Sequence, residues 1–396
     1  MRKDVWLACT SIALGAWIAA CTSGDEPKPA APPPAAAKAE PAPAPAAAPE
    51  SAAIVPASTD TRGFVVSRWS DEIPREAIES GCPDGLNQTE LEHFGITKEE
   101  LSAAYKKGGG KAADALFPGN GCIDPTSQED PGWRFVQGTE PVAGMDLDGA
   151  DGADGACAHR DFPGASGESG IDNQHWRLMG CTAAYRPGGL IDRLYESNSF
   201  IKEGGAPILI EMTGVDDPRN DDEVEVRILS STDPLSIDGT GEVMRDTTMT
   251  IDDDPQFQNE SARGRIVDGV LVTEPMEDVR IHIKTQTMDN HFHYRDVRIR
   301  AEVSEDGSLK GLIGGYWDGD NLFDSMNRQY IGENHVGRIA AISRGYICSG
   351  LYHAIPKVAD GHPDPETGEC TSVSHAVHFE AVPTFVVAAP EGQAES

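Results

Sequence analysis

The chain has 396 residues and a formal net charge of −33, from 65 Asp and Glu against 32 Lys and Arg. A surface this acidic repels phosphate backbones and anionic headgroups, which excludes nucleic acid as a partner and favours cations or basic surfaces. The length allows one large domain, or a small segment packed against a bigger one.

The first element is an address. Arg2 and Lys3 precede an apolar or small-residue stretch from Val5 to Ala19, which ends in Ile18-Ala19-Ala20-Cys21. A charged start, a stretch too short for a stable spanning helix and a small-residue cleavage site make residues 1–20 a secretory signal. The four residues ending at Cys21 resemble the lipobox of bacterial lipoproteins, over Met1 to Cys21 only. The resemblance implies that Cys21 becomes an N-terminus carrying diacylglyceryl and a further fatty acyl chain such as palmitate. Thr22 is not the aspartate which that family associates with inner-membrane retention, so an outer-membrane lipid anchor is implied, facing the periplasm or the surface. Two or three chains, at about 0.8 kcal/mol per buried CH₂, make such an anchor hard to reverse.

Residues 21–57 read as a tether, since 24 of the 36 residues from Thr22 to Ala57 are Pro or Ala. Such a segment favours extended polyproline II. Residues 58–144 read as irregular and partly helical, a cover on the main domain. Pro74 to Glu79 can start a short helix, and Thr97-Lys98-Glu99-Glu100 is a capping box opening Leu101 to Lys107, stopped by Gly108-Gly109-Gly110.

From Ala206 the hydrophobic period becomes two, at Ile208, Ile210 and Met212, then Val224, Val226 and Ile228, then Ile281 and Ile283, then Val297, Ile299, Ala301 and Val303. Further strands are expected at Glu242–Thr250, Arg263–Thr273, Ser308–Tyr316 and His375–Val387, and helices at Gly189–Lys202 and about Asn321–Ile347. The expected class is mainly β (α+β), an antiparallel sandwich or jelly-roll-like sheet over residues 145–390, with 391–396 a disordered tail. A parallel doubly wound fold is disfavoured, because strands follow one another without intervening helices.

Six cysteines remain beyond the signal and Cys21: Cys82, Cys122, Cys157, Cys181, Cys348 and Cys370. An even count in an exported chain reads as disulfides. The simplest pairing joins neighbours, Cys82–Cys122, Cys157–Cys181 and Cys348–Cys370. Structural zinc on these cysteines is disfavoured by the lack of C-x₂-C spacing.

Calcium is the expected cation, because Asp146, Asp148, Asp151 and Asp154 lie in one Gly-rich run and calcium needs six to eight oxygens. The run is not an EF-hand, since Gly149 stands at position four and Cys157 at position twelve. It is loosely similar to the aspartate turns of dockerin-type or thrombospondin-type repeats. Three more acidic loops, at 216–222, 252–254 and 318–324, could supply a second set of ligands or be turn chemistry.

Asp161, Asp172, Asn173, Gln174 and Trp176 form the densest run of functional side chains, and read either as a glycan-binding surface or as a turn bonded to its own backbone. Phosphate-loop and serine-nucleophile motifs do not match, and no catalytic residue is assigned. His291 and His293 would share a strand face, whereas His375 and His378 would face opposite ways. The resulting expectation is an outer-membrane-anchored lipoprotein whose calcium-stabilised β exodomain binds a glycan or an envelope protein. The alternatives are a hydrolase of envelope or extracellular polysaccharide, and a structural envelope protein without a ligand.

Overall fold

In a computed structural model of the chain, the described residues are 61–389 apart from 72, 74–80, 139, 150–156, 286, 287 and 334. The signal, Cys21, the tether, the helix expected at Pro74, Asp151, Asp154 and the tail lie outside them. The strands in chain order are β1 (Arg62–Ser70), β2 (Ile208–Thr213), β3 (Asp221–Ser230), β4 (Thr247–Thr250), β5 (Ala262–Val267), β6 (Val270–Thr273), β7 (Met276–Lys284), β8 (Asp289–Val303), β9 (Leu309–Asp318), β10 (Gly361–Pro363) and β11 (Cys370–Val387). They form one sheet, antiparallel except where β4 meets β11, so the fold is mainly β in an α+β arrangement.

The hydrogen-bonded path runs β1-β2-β3-β5-β6-β8-β9-β11 and returns to β1, which pairs with both β2 and β11. The sheet therefore closes into a ring with an inside and an outside. β1 was not expected as a strand. Its Phe64-Val65-Val66 lacks alternation because both faces are covered, and a strand buried on both sides reads as a short apolar run. Phe64 and Val66 join Ile208, Ile210, Met212, Val224, Val226 and Ile228 in the main core. Val65, Leu209 and Leu229 face the other way, into a smaller cluster with Val243 and Met249. Each such side chain contributes roughly 1.5–3 kcal/mol when fully buried.

Turn chemistry sets the registers. Val267 pairs with Val270 across Asp268-Gly269, both at positive φ (52° and 83°), as a two-residue hairpin loop requires. Where β3 leaves β5 and approaches β7, Asn259 replaces a ladder. Its Nδ2 donates to the carbonyls of Ile228 (2.8 Å) and Arg280 (2.9 Å), and its Oδ1 accepts from the Arg280 amide (2.8 Å).

The helices are α1 (Glu90–Phe94), α2 (Lys98–Asp114), α3 (Gln174–Met179), α4 (Leu190–Ser197), α5 (Ser199–Lys202), α6 (Gly319–Asn327), α7 (His335–Arg344) and α8 (Cys348–Ala354). Thr97 and Glu100 make the expected capping box on α2, and the backbone breaks at Gly108 and Gly109, where glycine tolerates φ 64°. The helix expected over 189–202 is split by Asn198 in the left-handed region.

Arg338 of α7, 1% exposed, fastens α1 and α2 to the later helices. Its Nε lies 2.7 Å from Glu90 Oε2, its Nη1 2.7 Å from Asp114 Oδ1, and its guanidinium 4.3 Å from the Phe117 ring centre. Burial pushes the Glu90 carboxyl up, against the pull of Arg338.

All six cysteines are in disulfides, but the pairing of neighbours is overturned. The bonds are Cys82–Cys181, Cys122–Cys348 and Cys157–Cys370, spanning 99, 226 and 213 residues. Short loops are the cheapest to close in a free chain, whereas here the partners Cys181, Cys348 and Cys370 stand just after α3, at the start of α8 and at the start of β11, so the fold sets the pairing. No helix among the described residues is long and apolar enough to cross a membrane.

Candidate functional site

The acidic run at Asp146 folds onto the outside of the ring. Met145 and Asp172 form a bridge, and Leu147, only 3% exposed, plugs into the structure beneath. The Leu147 amide donates to Asp172 Oδ2 at 2.6 Å, and Arg298 of β8 donates to the carbonyls of Leu147 (2.5 Å) and Asp146 (3.3 Å). The Gly149 amide donates to Asp146 Oδ1 (2.6 Å), with Gly149 at φ 77°. With Leu147 pointing in, Asp146 and Asp148 flank it on the exposed side.

Carboxylate oxygens of Asp146, Asp148 and Asp172 then lie within 4.8 Å of one another. Burial, followed by the charges of Asp360, Asp148 and Asp161, pushes the Asp172 carboxyl up to about 8, although the Leu147 amide opposes this. Asp360 rises to about 6, chiefly through burial, while the Ser374 amide and hydroxyl hold it down. Tyr316 beside them is raised by burial and by the charges of Asp172, Asp360 and Asp148. Such a set of repelling oxygens is what a hard divalent cation neutralises.

An open groove of about 510 Å³ runs past this loop, lined among others by Asp146, Glu168, Arg298, Arg300 and His378. The other acidic loops do not join it and are turn chemistry. Asp221 accepts from the Asp216 and Asp217 amides, Asp254 caps a short 3₁₀ turn, and Asp318 caps α6 while pairing with Arg295.

The residues expected to form a glycan surface, Asp161, Asp172, Asn173, Gln174 and Trp176, are largely enclosed. Asp172, Asn173, Gln174 and Trp176 are 3%, 8%, 0% and 7% exposed, so the Trp176 ring offers no free face for stacking on a sugar. Asn173 caps α3 through the Trp176 amide and donates to the Ala143 carbonyl; Gln174 bonds the Arg160 carbonyl and Arg177. Asp161 is half-buried among the acidic residues and raises Asp172. Asp172 thus faces the acidic loop as its second-segment partner. Of the two strand histidines, His293 Nε2 lies 3.2 Å from Asp278, and the His291 ring stands edge-on to Phe257 at 6.4 Å between centres.

A second convergence had no signal in the sequence, because its members are separated by 104 and 200 residues. Asp71 beyond β1, His175 of α3 and His375 of β11 are all buried, with one ligand atom of each within 4.8 Å of the others. Burial and the charge of His375 drive the His175 imidazole down to about 3, so it is neutral. Burial raises Asp71, but His375, His175 and the Tyr195 hydroxyl outweigh it and hold the carboxyl below its usual range.

No family model matches this chain, and no curated protein or solved structure is similar enough to match it.

Proposed function

We propose that the protein is an exported lipoprotein, anchored to the outer membrane by acylated Cys21, whose β domain is a calcium-stabilised binding module. Calcium would sit among Asp146, Asp148 and Asp172, and the adjoining groove would take a glycan, with its guanidinium, carboxylate and imidazole groups addressing hydroxyls. The observation that carries this reading is the meeting of three carboxylates from two segments, one of which, Asp146, also lines that groove. An ion there would fix the loop wall, and its loss would release Asp146 and Asp148 to repel Asp172.

The test is calcium titration by calorimetry, followed by a glycan array probed with and without calcium. Stoichiometric binding lost in Asp146→Asn/Asp148→Asn, with glycan capture that needs calcium, supports the reading. An absence of calcium binding refutes the ion, and capture of envelope proteins but no glycan refutes the ligand class. Mass spectrometry of the mature N-terminus tests the anchor, where an unmodified Cys21 would refute it.

A further inference from the structure

The buried constellation on the opposite side of α3 has the donors of a transition-metal centre and no role in the groove. His375 Nε2 lies 2.8 Å from Asp71 Oδ1, while its other ring nitrogen, Nδ1, is 2.8 Å from the Tyr294 hydroxyl. Asp71 Oδ2 accepts from the Tyr195 hydroxyl at 2.8 Å. Each of these two groups is therefore oriented from behind by a phenol, the kind of outer support that metal-binding imidazoles and carboxylates have. The His175 ring packs 4.3 Å from the His375 ring, centre to centre, between Tyr185 and Trp317. His175 is 3% exposed, and its Nε2 has no hydrogen-bond partner among the described residues.

An orphaned ring nitrogen in such a place is costly, because its desolvation is offset by no partner. It also belongs to a residue one of whose ring nitrogens lies within 4.8 Å of two other ligand atoms. Two nitrogens and one carboxylate, enclosed and ringed by aromatic side chains, do not suit calcium or magnesium, which require more oxygens. Such a donor set does suit zinc, which takes imidazole and carboxylate at about 2.0–2.2 Å in a tetrahedron. Atoms sharing such an ion stand about 3.3 Å apart, so donors already within 4.8 Å need to move by an ångström or so.

We propose that Asp71, His175 and His375 form a zinc site, supplying three of its four tetrahedral ligands with His175 Nε2 as the third and leaving the fourth to a water, so that zinc ties the end of β1 to α3 and β11. The site needs no cysteine, in keeping with all six of the folded domain being in disulfides. It is independent of calcium at Asp146, and the two can be separated chemically.

The test uses the mature protein, secreted without a polyhistidine tag and treated with EGTA to remove calcium. Elemental analysis after equilibration with buffered zinc is expected to give one zinc per chain, and cobalt substitution is expected to give tetrahedral Co(II) absorption. His175→Phe keeps the ring volume and removes the ligand, so zinc and the cobalt bands should both be lost. Tyr294→Phe, which keeps all three ligands, should weaken zinc binding about 10- to 100-fold, and serves if His175→Phe does not fold. Asp146→Asn/Asp148→Asn should leave zinc content unchanged. Folded wild type that takes up no zinc, or undiminished zinc and cobalt spectra in His175→Phe, would overturn the proposal. So would unchanged affinity in Tyr294→Phe should that variant be the one measured.

Discussion

Asp172→Asn is expected to have opposite effects in the absence and presence of calcium. In the metal-free protein the Asp172 carboxyl titrates at about 8, against 3.8 for the same group in an unfolded chain. Below pH 3.8 both states hold the proton and the native fold is at its relative best. As the pH rises from there to 8, the unfolded chain has lost a proton that the native chain keeps, so stability falls by up to about 1.4 kcal/mol per pH unit. Over the interval to pH 7 this amounts to roughly 4 kcal/mol. Asp148 is exposed, so salt screens its share, and about 2–4 kcal/mol is the working range. An asparagine keeps an oxygen for the Leu147 amide and has no proton to hold. In EGTA the variant should therefore melt higher than wild type at pH 7, by roughly 2 °C for each kcal/mol gained in a domain of this size. The two should converge near pH 4. Excess calcium should reverse the order, because wild type gains RT ln(1 + [L]/Kd) and the variant has lost a ligand. The assay is thermal unfolding by circular dichroism from pH 4 to 8 in both conditions. Parallel pH profiles in EGTA would refute the raised carboxyl, and equal calcium shifts would refute Asp172 as a ligand.

Non-reducing peptide maps should recover Cys82–Cys181, Cys122–Cys348 and Cys157–Cys370, and replacing Cys82 and Cys181 by alanine should cost about 4.7 kcal/mol in the chain-entropy treatment, measured by urea unfolding. Arg338→Met should cost about 3–5 kcal/mol because it strands Glu90 in the interior, and adding Glu90→Gln should recover part of that loss. Gly269→Ala should destabilise by about 1 kcal/mol or more through its positive φ, whereas Gly239→Ala, with no positive φ and open space at its Cβ, should be near neutral in the same melts.

Alternation made the strands legible at Ile208, Val224, Ile281 and Val297, since each has one face on the core. The Thr97 capping box and the glycines that break its helix were legible because both are local chemistry, although helical backbone resumes beyond them to Asp114. β1 was not, since Phe64-Val65-Val66 is covered on both faces and carries no period. Cystine pairing was not either, because it reports which distant segments meet. In the acidic run the aspartates were visible, but a single apolar residue has no period around it to mark Leu147 as the buried plug beside Asp146 and Asp148. Asp172 stood in the same sequence as Asn173, Gln174 and Trp176, and only the folded contacts separate the carboxyl that faces the acidic loop from the amides that cap and brace α3. The three residues at Asp71, His175 and His375 lie too far apart for any spacing rule to reach.

The ring is shut by its earliest strand pairing with its latest, Val65 standing opposite Val382. A nascent chain emerging amino-terminus first must therefore carry Phe64-Val65-Val66 with an empty edge until nearly the whole polypeptide has been made, and two of the three cystines wait for Cys348 and Cys370. Such late, long-range closure makes assembly slow and leaves an adhesive edge uncovered meanwhile. A stop codon before the last strand would thus forfeit the entire domain rather than trim its border, and a chaperone that covers exposed edges would matter more to this molecule than to one built from local hairpins.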